Sequence, residues 1–243
     1  MEIVVLKMLF IASVSAQYGK HVYVQKAMLW SDAQNYCRNH HTDLSVITTK
    51  WDEQKLQSEV YGTIYGRVWI GLYLNEEHWM WSGGGNATNV PWAYGEPNDL
   101  LTQKYGAICC GCTWHGWVNL PYWYQKPFFC FSLIVVEEKR TWENAFSYCN
   151  NKHTALTSLA SETEHLLALR EIQQDHITER VWIGLRYLAD RWMWMDGHPS
   201  VYRAWDKEDQ DHQCPLRKRC TALTKGGVWE SWDCKDQLHF ICY

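Results

Sequence analysis

The chain has 243 residues, of which 47% are hydrophobic and 15% aromatic, so it can form one large domain or two of ordinary size. Its formal charge of -4 at pH 7 excludes the strongly basic composition that is typical of nucleic-acid-binding proteins. A nucleic-acid partner is therefore not expected.

Residues 1–16 are predicted to be a signal peptide. An apolar stretch, Ile3 to Ile11, is followed by small residues, and Val14 to Ala16 offers a cleavage site. Glu2 and Lys7 depart from the usual pattern, and a buried first strand is the alternative. No other segment has the length and hydropathy of a membrane span, so no membrane anchor is expected. We expect secretion into the extracellular space, where the ten cysteines form disulfide bonds.

The rest of the chain contains an internal sequence repeat. Four sequence blocks recur in the same order, and the cysteines at 37 and 149 are 112 positions apart. The matching blocks are Trp30–Cys37 with Trp142–Cys149, Val68–Leu72 with Val181–Leu185, His78–Trp81 with Arg191–Trp194, and Pro127–Cys130 with Leu238–Cys242. The repeat predicts two tandem domains, residues 19–131 and 132–243, preceded by the signal peptide. Because no flexible linker separates them, a restricted relative orientation is expected.

Each copy shows the same succession of predicted elements: a short strand, two helices, a strand with the sequence Trp-Ile-Gly-Leu, an irregular Gly-rich region and short closing strands. The opening strands are Val22–Val24 and Leu133–Val136, and the helices are Trp30–Asn39, Glu53–Val60, Trp142–Lys152 and Ser161–Gln174. Ser161 and Glu164 have the spacing of a capping box. Helices followed by strands predict an α+β fold.

Several motifs together resemble the C-type-lectin-like domain family. They are the helical cysteine, the Trp-Ile-Gly-Leu strand, the terminal Phe-x-Cys of each copy, and Glu96-Pro97-Asn98 in the first copy. The resemblance covers roughly residues 19–243. It implies, for each domain, two helices and short antiparallel sheets with a long irregular loop region. It also implies three disulfides: Cys37–Cys130, Cys149–Cys242 and Cys220–Cys234.

Four cysteines have no assigned partner in that pattern: Cys109, Cys110, Cys112 and Cys214. Non-standard or intermolecular disulfides are the favoured interpretation, and these include a disulfide-linked oligomer. A zinc site with His115 is the alternative, but the spacing matches no common zinc finger.

The resemblance further implies a Ca²⁺ ion that holds vicinal hydroxyls of a mannose-type sugar. Glu96 and Asn98 occupy two of its ligand positions. A third acidic position falls at about Lys104, and the Asn-Asp pair that follows Trp117 in the family reads Val118-Asn119 here. The expectation is a weak, degraded Ca²⁺ site in domain 1 formed by Glu96, Asn98 and Asn119, with Asp99 as a substitute ligand. A loop that keeps its shape without an ion is the alternative.

The second copy departs further from the ligand pattern. It reads Asp209-Gln210-Asp211 at the motif and Glu230-Ser231 after Trp229, with Arg217 or Lys218 near the later acidic position. No calcium-dependent sugar binding is expected there.

Two further sequence features concern the protein surface. Asn86-Ala87-Thr88 is a glycosylation sequon, so the protein is predicted to be a glycoprotein modified at Asn86. An aromatic cluster that belongs mainly to the first copy could line a binding surface or belong to the core: Trp114, Trp117, Tyr122, Trp123 and Tyr124.

The expected function is recognition, because the chain has no Gly-x-Ser-x-Gly or His-Glu-x-x-His motif and an enzyme is not expected. The favoured hypothesis is a secreted carbohydrate-recognition protein whose partner is a glycan. The alternative is a calcium-independent protein that binds a cell-surface or other protein ligand and no sugar.

Overall fold

The computed structural model describes residues 15–111, 116–199, 202–209 and 211–243. It has four helices and two mixed sheets in these residues, and the expected α+β class is confirmed. The helices are α1 (Trp30–His40), α2 (Lys50–Val60), α3 (Trp142–Lys152) and α4 (Glu162–Glu171). The strands of the first copy are β1 (Ser15–Tyr18), β2 (His21–Met28), β3 (Asp43–Leu44), β4 (Gly66–Asn75), β5 (His78–Trp81), β6 (Tyr105–Cys110), β7 (Trp117–Leu120) and β8 (Lys126–Phe131). Those of the second copy are β9 (Ile134–Arg140), β10 (Arg180–Leu188), β11 (Arg191–Trp194), β12 (Cys220–Thr224), β13 (Trp229–Trp232) and β14 (Leu238–Cys242).

The two sheets share one topology. The strand order is β1-β2-β8-β4-β6-β7 in the first sheet and β13-β12-β10-β14-β9 in the second. In each copy the last strand pairs antiparallel with the opening strand and parallel with the Trp-Ile-Gly-Leu strand. The beginning and end of each copy therefore pair with each other within its own sheet.

Disulfides tie the first helix of each copy to its last strand. The structure contains Cys37–Cys130 and Cys149–Cys242, and a shorter bridge joins Cys220 to Cys234. These are the three pairs that the family resemblance implies. Each long bridge has a sequence separation of 93 residues, and closing such a loop stabilises the fold by about 4–5 kcal/mol in the chain-entropy account.

Local capping explains where two helices begin. Helix α2 begins three residues before the predicted position, because the Thr49 side chain accepts a hydrogen bond from the Asp52 N–H. Ser161 caps α4 in the predicted way, by accepting from the Glu164 N–H. The Glu164 carboxylate, however, accepts from the Ala160 N–H at 2.7 Å, so the reciprocal half of the capping box is not formed. Helix α4 ends at Glu171, three residues earlier than predicted.

The predicted signal peptide falls mostly on residues 1–14, which lie outside the described residues. Ser15 and Ala16, assigned to the same segment, lie in β1, where Ser15 pairs with Val24. Cleavage after Ala16 would cut this strand. None of the helices in the described ranges has both the length and the hydropathy needed to cross a bilayer.

The two copies are in direct contact through apolar and charged side chains. One cluster of buried hydrophobic residues contains members of both copies, with Leu167 of α4 close against Gly83. Within the same interface the Lys20 Nζ lies 2.9 Å from Asp52 Oδ1 and 2.5 Å from Glu164 Oε1, and all three side chains are almost fully buried. Lys20 and Asp52 belong to the first copy and Glu164 to the second, so one ammonium joins the copies.

Candidate functional site

The Glu96-Pro97-Asn98 loop lies between β5 and β6, and its Glu96–Pro97 peptide bond is cis. The fold brings together three residues predicted from the sequence: Glu96, Asn98 and Asn119. Asn119, fully buried on β7, accepts a hydrogen bond from the Asn98 N–H at 3.0 Å. Its Nδ2 donates to the backbone oxygens of Asn98 at 2.5 Å and Gln103 at 2.7 Å. The amide of Asn119 thus ties two points of the loop, Asn98 and Gln103, to β7.

Two further side-chain oxygens of this loop accept hydrogen bonds from the protein. Asn98 Oδ1 accepts from Gln103 Nε2 at 2.7 Å, and Asp99 Oδ2 accepts from the Thr102 hydroxyl at 2.5 Å. The Glu96 carboxylate differs, because its Oε2 is buried and has no hydrogen-bond partner in the described residues.

These residues do not fit a Ca²⁺ ion. Calcium takes six to eight oxygen ligands, including carboxylates. The Asn119 side chain already uses its oxygen and both N–H groups in hydrogen bonds to the loop. Val118 is a buried hydrocarbon and offers no ligand oxygen, and the side chain of Lys104 is exposed. Glu96 and Asp99 are left as the only carboxylates of the described loop, and two carboxylates fall short of the six to eight oxygen ligands. In this loop, hydrogen bonds from amide groups connect the segments that a cation would otherwise join.

A cavity of about 420 Å³ lies beside Glu96, at the ends of three strands of the first sheet. Its lining residues are Gly66, Arg67, Ala93, Tyr94, Glu96, Cys109, Gly116 and Val118. Arg67 and Glu96 are its two oppositely charged residues, yet Arg67 forms no ion pair within the described part of the chain. Tyr94 is fully exposed and Val118 provides an apolar wall. This combination of one acceptor, one cationic donor and an aromatic ring is typical of a small-ligand site.

The second copy has a corresponding cavity of about 430 Å³ with a different charge pattern. Its lining residues are Arg180, Asp206, Glu208, Asp209, Asp211, Lys218, Glu230, Ser231 and Trp232. Asp209 accepts hydrogen bonds from the Ser231 N–H at 2.6 Å and from its hydroxyl, and Lys218 lies 2.9 Å from Asp211. The absence of calcium-dependent sugar binding in this copy stays a prediction.

The four unassigned cysteines have different states. Cys109 is disulfide-bonded, whereas Cys110 and Cys214 are free thiols. Burial raises the pKa of Cys110 to about 12, which disfavours the thiolate that a zinc site needs. Cys112, like His115, lies outside the described residues. Cys214 is exposed, and its role in an intermolecular disulfide stays a prediction.

The aromatic cluster of the first copy separates into core and surface. Trp117 is buried, and its Nε1–H donates to Glu53 Oε1 at 2.7 Å, so of the two alternatives it belongs to the core. The recurrence of Trp117 as the equally buried Trp229 was the sequence signal for this. Tyr122, Trp123 and Tyr124 are exposed between β7 and β8. Trp114 lies outside the described residues, and the sequon residue Asn86 is exposed.

The comparisons with known proteins agree on one family for both copies. The family described as Lectin C-type domain matches residues 26–130 and again residues 138–243. Dromaiocalcin-1 of Dromaius novaehollandiae is 33% identical over 109 residues, which are 42% of this chain and 74% of that protein.

Longer relatives align with both copies. The secretory phospholipase A2 receptor of Bos taurus is 24% identical over 93% of this chain, and human lymphocyte antigen 75 is 22% identical over 90%. The chain spans only 18% and 15% of their respective lengths. Among solved structures, human lithostathine is 23% identical and covers 49% of this chain and 87% of its own, with a TM-score of 0.42. The mouse scavenger receptor C-type lectin carbohydrate-recognition domain is 18% identical over 48% of this chain and 91% of its own, with a TM-score of 0.41.

Proposed function

Because the chain belongs to the C-type lectin domain family in both of its halves, we propose that it is a recognition protein whose first copy binds a carbohydrate directly, without calcium. The observation that carries this proposal is the Glu96 carboxylate, which lines a cavity of about 420 Å³ and whose buried Oε2 has no hydrogen-bond partner among the described residues. A buried acceptor without a partner costs about 1–3 kcal/mol. A ligand hydroxyl removes this cost when the Glu96 side chain, which lines the cavity, turns its carboxylate toward it.

The size and chemistry of the cavity favour a saccharide as that ligand. Its volume lies within the range of small-molecule sites, about 300–1,000 Å³. Sugars carry many hydroxyl donors, and their apolar ring faces stack on aromatic side chains such as the exposed Tyr94. The loop around the cavity is held by the Asn119 and Gln103 amides, which supports binding without an ion.

The test uses the full chain on an array of immobilised oligosaccharides, with millimolar calcium and then with chelator. We expect binding that chelator leaves unchanged, no heat of calcium binding by calorimetry, and at least a tenfold weaker signal for Glu96→Gln. Glu77→Gln, an exposed carboxylate in the β4–β5 turn, is the matched control. Retention that disappears with chelator contradicts the proposal and establishes the calcium-dependent alternative.

A second candidate function, recognition of a protein partner, is favoured by the exposed segment Tyr122-Trp123-Tyr124. Three consecutive aromatic side chains there are between 42% and 62% exposed. Exposed aromatic groups are enriched among residues that dominate the energy of protein interfaces. Trp123→Ala should weaken binding to a protein partner and leave glycan binding unchanged, whereas Glu96→Gln should do the reverse.

We also propose that the protein acts outside the cell and is glycosylated. The disulfides Cys37–Cys130, Cys149–Cys242 and Cys220–Cys234 support an oxidising compartment, and the exposed Asn86 is accessible for modification. Expression in a secreting eukaryotic cell should deliver the chain to the medium. Glycosidase treatment should reduce its mass there, and Asn86→Gln should abolish that change.

A further inference from the structure

An arginine at the equivalent sequence position lines the cavity of each copy, but the residues around it differ. Arg67 and Arg180 each lie two residues before the buried tryptophan of the Trp-Ile-Gly-Leu strand. Each lines the cavity of its own copy. The sequence recurrence marks both arginines, although neither belongs to the motif that identifies the site.

In the second copy the arginine is neutralised by the protein itself. Arg180 Nη2 donates to Glu230 Oε1 at 3.1 Å, and its Nε donates to Glu230 Oε2. This two-point contact between a guanidinium and a carboxylate is the geometry in which arginine binds carboxylates most strongly. Glu230 thus occupies the place that an external carboxylate would take.

In the first copy the same position of the sheet carries a hydrocarbon. Val118 directly follows the buried Trp117, as Glu230 follows Trp229. Both residues also have the same register, because Val118 pairs with Ala107 and Glu230 with Ala222. The exposed Arg67 therefore faces a cavity whose internal carboxylate partner is missing, and it has no ion pair among the residues that the structure describes.

The neighbouring Glu96 restricts what can bind there. A simple anion would be attracted by Arg67 and repelled by the Glu96 carboxylate, so the cavity does not favour phosphate or acetate. A ligand that carries a carboxylate and a hydroxyl or N–H donor a few ångströms away satisfies both groups. A sugar acid has this arrangement on one ring.

We propose that the first-copy cavity binds a carboxylate-bearing sugar, with Arg67 holding the carboxylate and Glu96 accepting from a hydroxyl or N–H of the same residue. This inference rests on the proposed carbohydrate binding and names its ligand class. Two sources share the chemistry, namely a sialic acid at the end of a glycan and a hexuronic acid within a polysaccharide.

The test measures binding of the full chain, with chelator present, to sialyllactose, to a hyaluronan oligosaccharide and to neutral lactose. We expect at least one acidic sugar to bind at least tenfold more tightly than lactose, and Arg67→Gln to weaken that binding by at least tenfold. Arg180→Gln, at the equivalent position of the second copy, should leave it unchanged. Val118→Glu should abolish it, because the new carboxylate would neutralise Arg67 as Glu230 neutralises Arg180.

The outcomes of this test distinguish carboxylate recognition by Arg67 from the more general proposal of carbohydrate binding. Binding of one acidic sugar identifies its source, and loss with Arg67→Gln supports the inference. Equal binding of lactose and the acidic sugars, unaffected by Arg67→Gln, overturns carboxylate recognition but leaves carbohydrate binding in place. If no sugar binds, both proposals fail. Arg67 is exposed, so Arg67→Gln tests the idea even if Val118→Glu does not fold.

Discussion

Replacing Lys20 with methionine should destabilise both copies, because this ammonium is shared by carboxylates of the two. At an effective dielectric constant of 20, unit charges at 2.9 Å and 2.5 Å attract each other by about 6 and 7 kcal/mol. Most of this attraction offsets the loss of hydration on burial. Removing one member of a buried pair usually costs about 3–5 kcal/mol, and we expect a loss in that range at pH 7. The melting temperature should fall by about 6–20 °C.

The pH dependence of this loss is a sharper test than its size. Burial alone would lower the pKa of Lys20, but the charges of Asp52 and Glu164 outweigh it and hold that pKa above its ordinary value. The stabilisation that the Lys20 charge provides is therefore fully present below pH 10.5, and it does not change between pH 5 and pH 7. Burial raises the pKa of Glu164, and the Lys20 charge partly offsets this rise.

Without Lys20 the pKa of Glu164 should rise further. The folded variant then binds a proton as the pH falls from 7 to 5, whereas the unfolded chain, with an ordinary glutamate, binds little. The variant should thus regain stability toward pH 5, and the difference from the wild type should shrink.

Urea unfolding of the full chain at pH 7 and pH 5, followed by circular dichroism, measures both effects. Lys26→Met is the control, because Lys26 is exposed on β2 and its replacement should change stability by less than about 0.5 kcal/mol. A loss below about 1 kcal/mol for Lys20→Met at pH 7 would refute the reasoning, and so would an equal loss at both pH values.

Two other predictions concern reactivity and packing. In the native chain at pH 8, a maleimide should label Cys214 within minutes and leave Cys110 unlabelled, because Cys110 is buried and its pKa is raised to about 12. Peptide mapping by mass spectrometry reads both sites, and rapid native labelling of Cys110 would be inconsistent with its burial. Gly106→Ala should destabilise the fold by about 1–3 kcal/mol, because its new Cβ would lie 2.6 Å from the Leu72 Cβ. Gly226→Ala, whose nearest contact is 3.6 Å away, should cost far less in the same urea titration, and equal costs would contradict the packing argument.

Local sequence patterns determined the helices and strands of this protein and the pairing of its disulfide bonds. The repeat of 112 positions predicted two copies of one α+β fold, and helix α3 has the predicted bounds. The cysteine pairs could be transferred from the family resemblance, because they depend on motifs that stand in the sequence itself. Helix ends were less accurate, since the Thr49 hydroxyl decides where α2 begins.

Only the tertiary structure decided which atoms of the candidate site are available to a ligand. The sequence marked Glu96, Asn98 and Asn119, but the engagement of Asn98 by Gln103 depends on how the loop folds back on itself. The lack of an ion pair to Arg67 among the described residues likewise depends on its neighbour across the sheet, Val118, which no local pattern encodes. A pattern records what ligands a residue could provide. Whether those atoms are free for a ligand depends on contacts between distant segments, and these form only when the chain is folded.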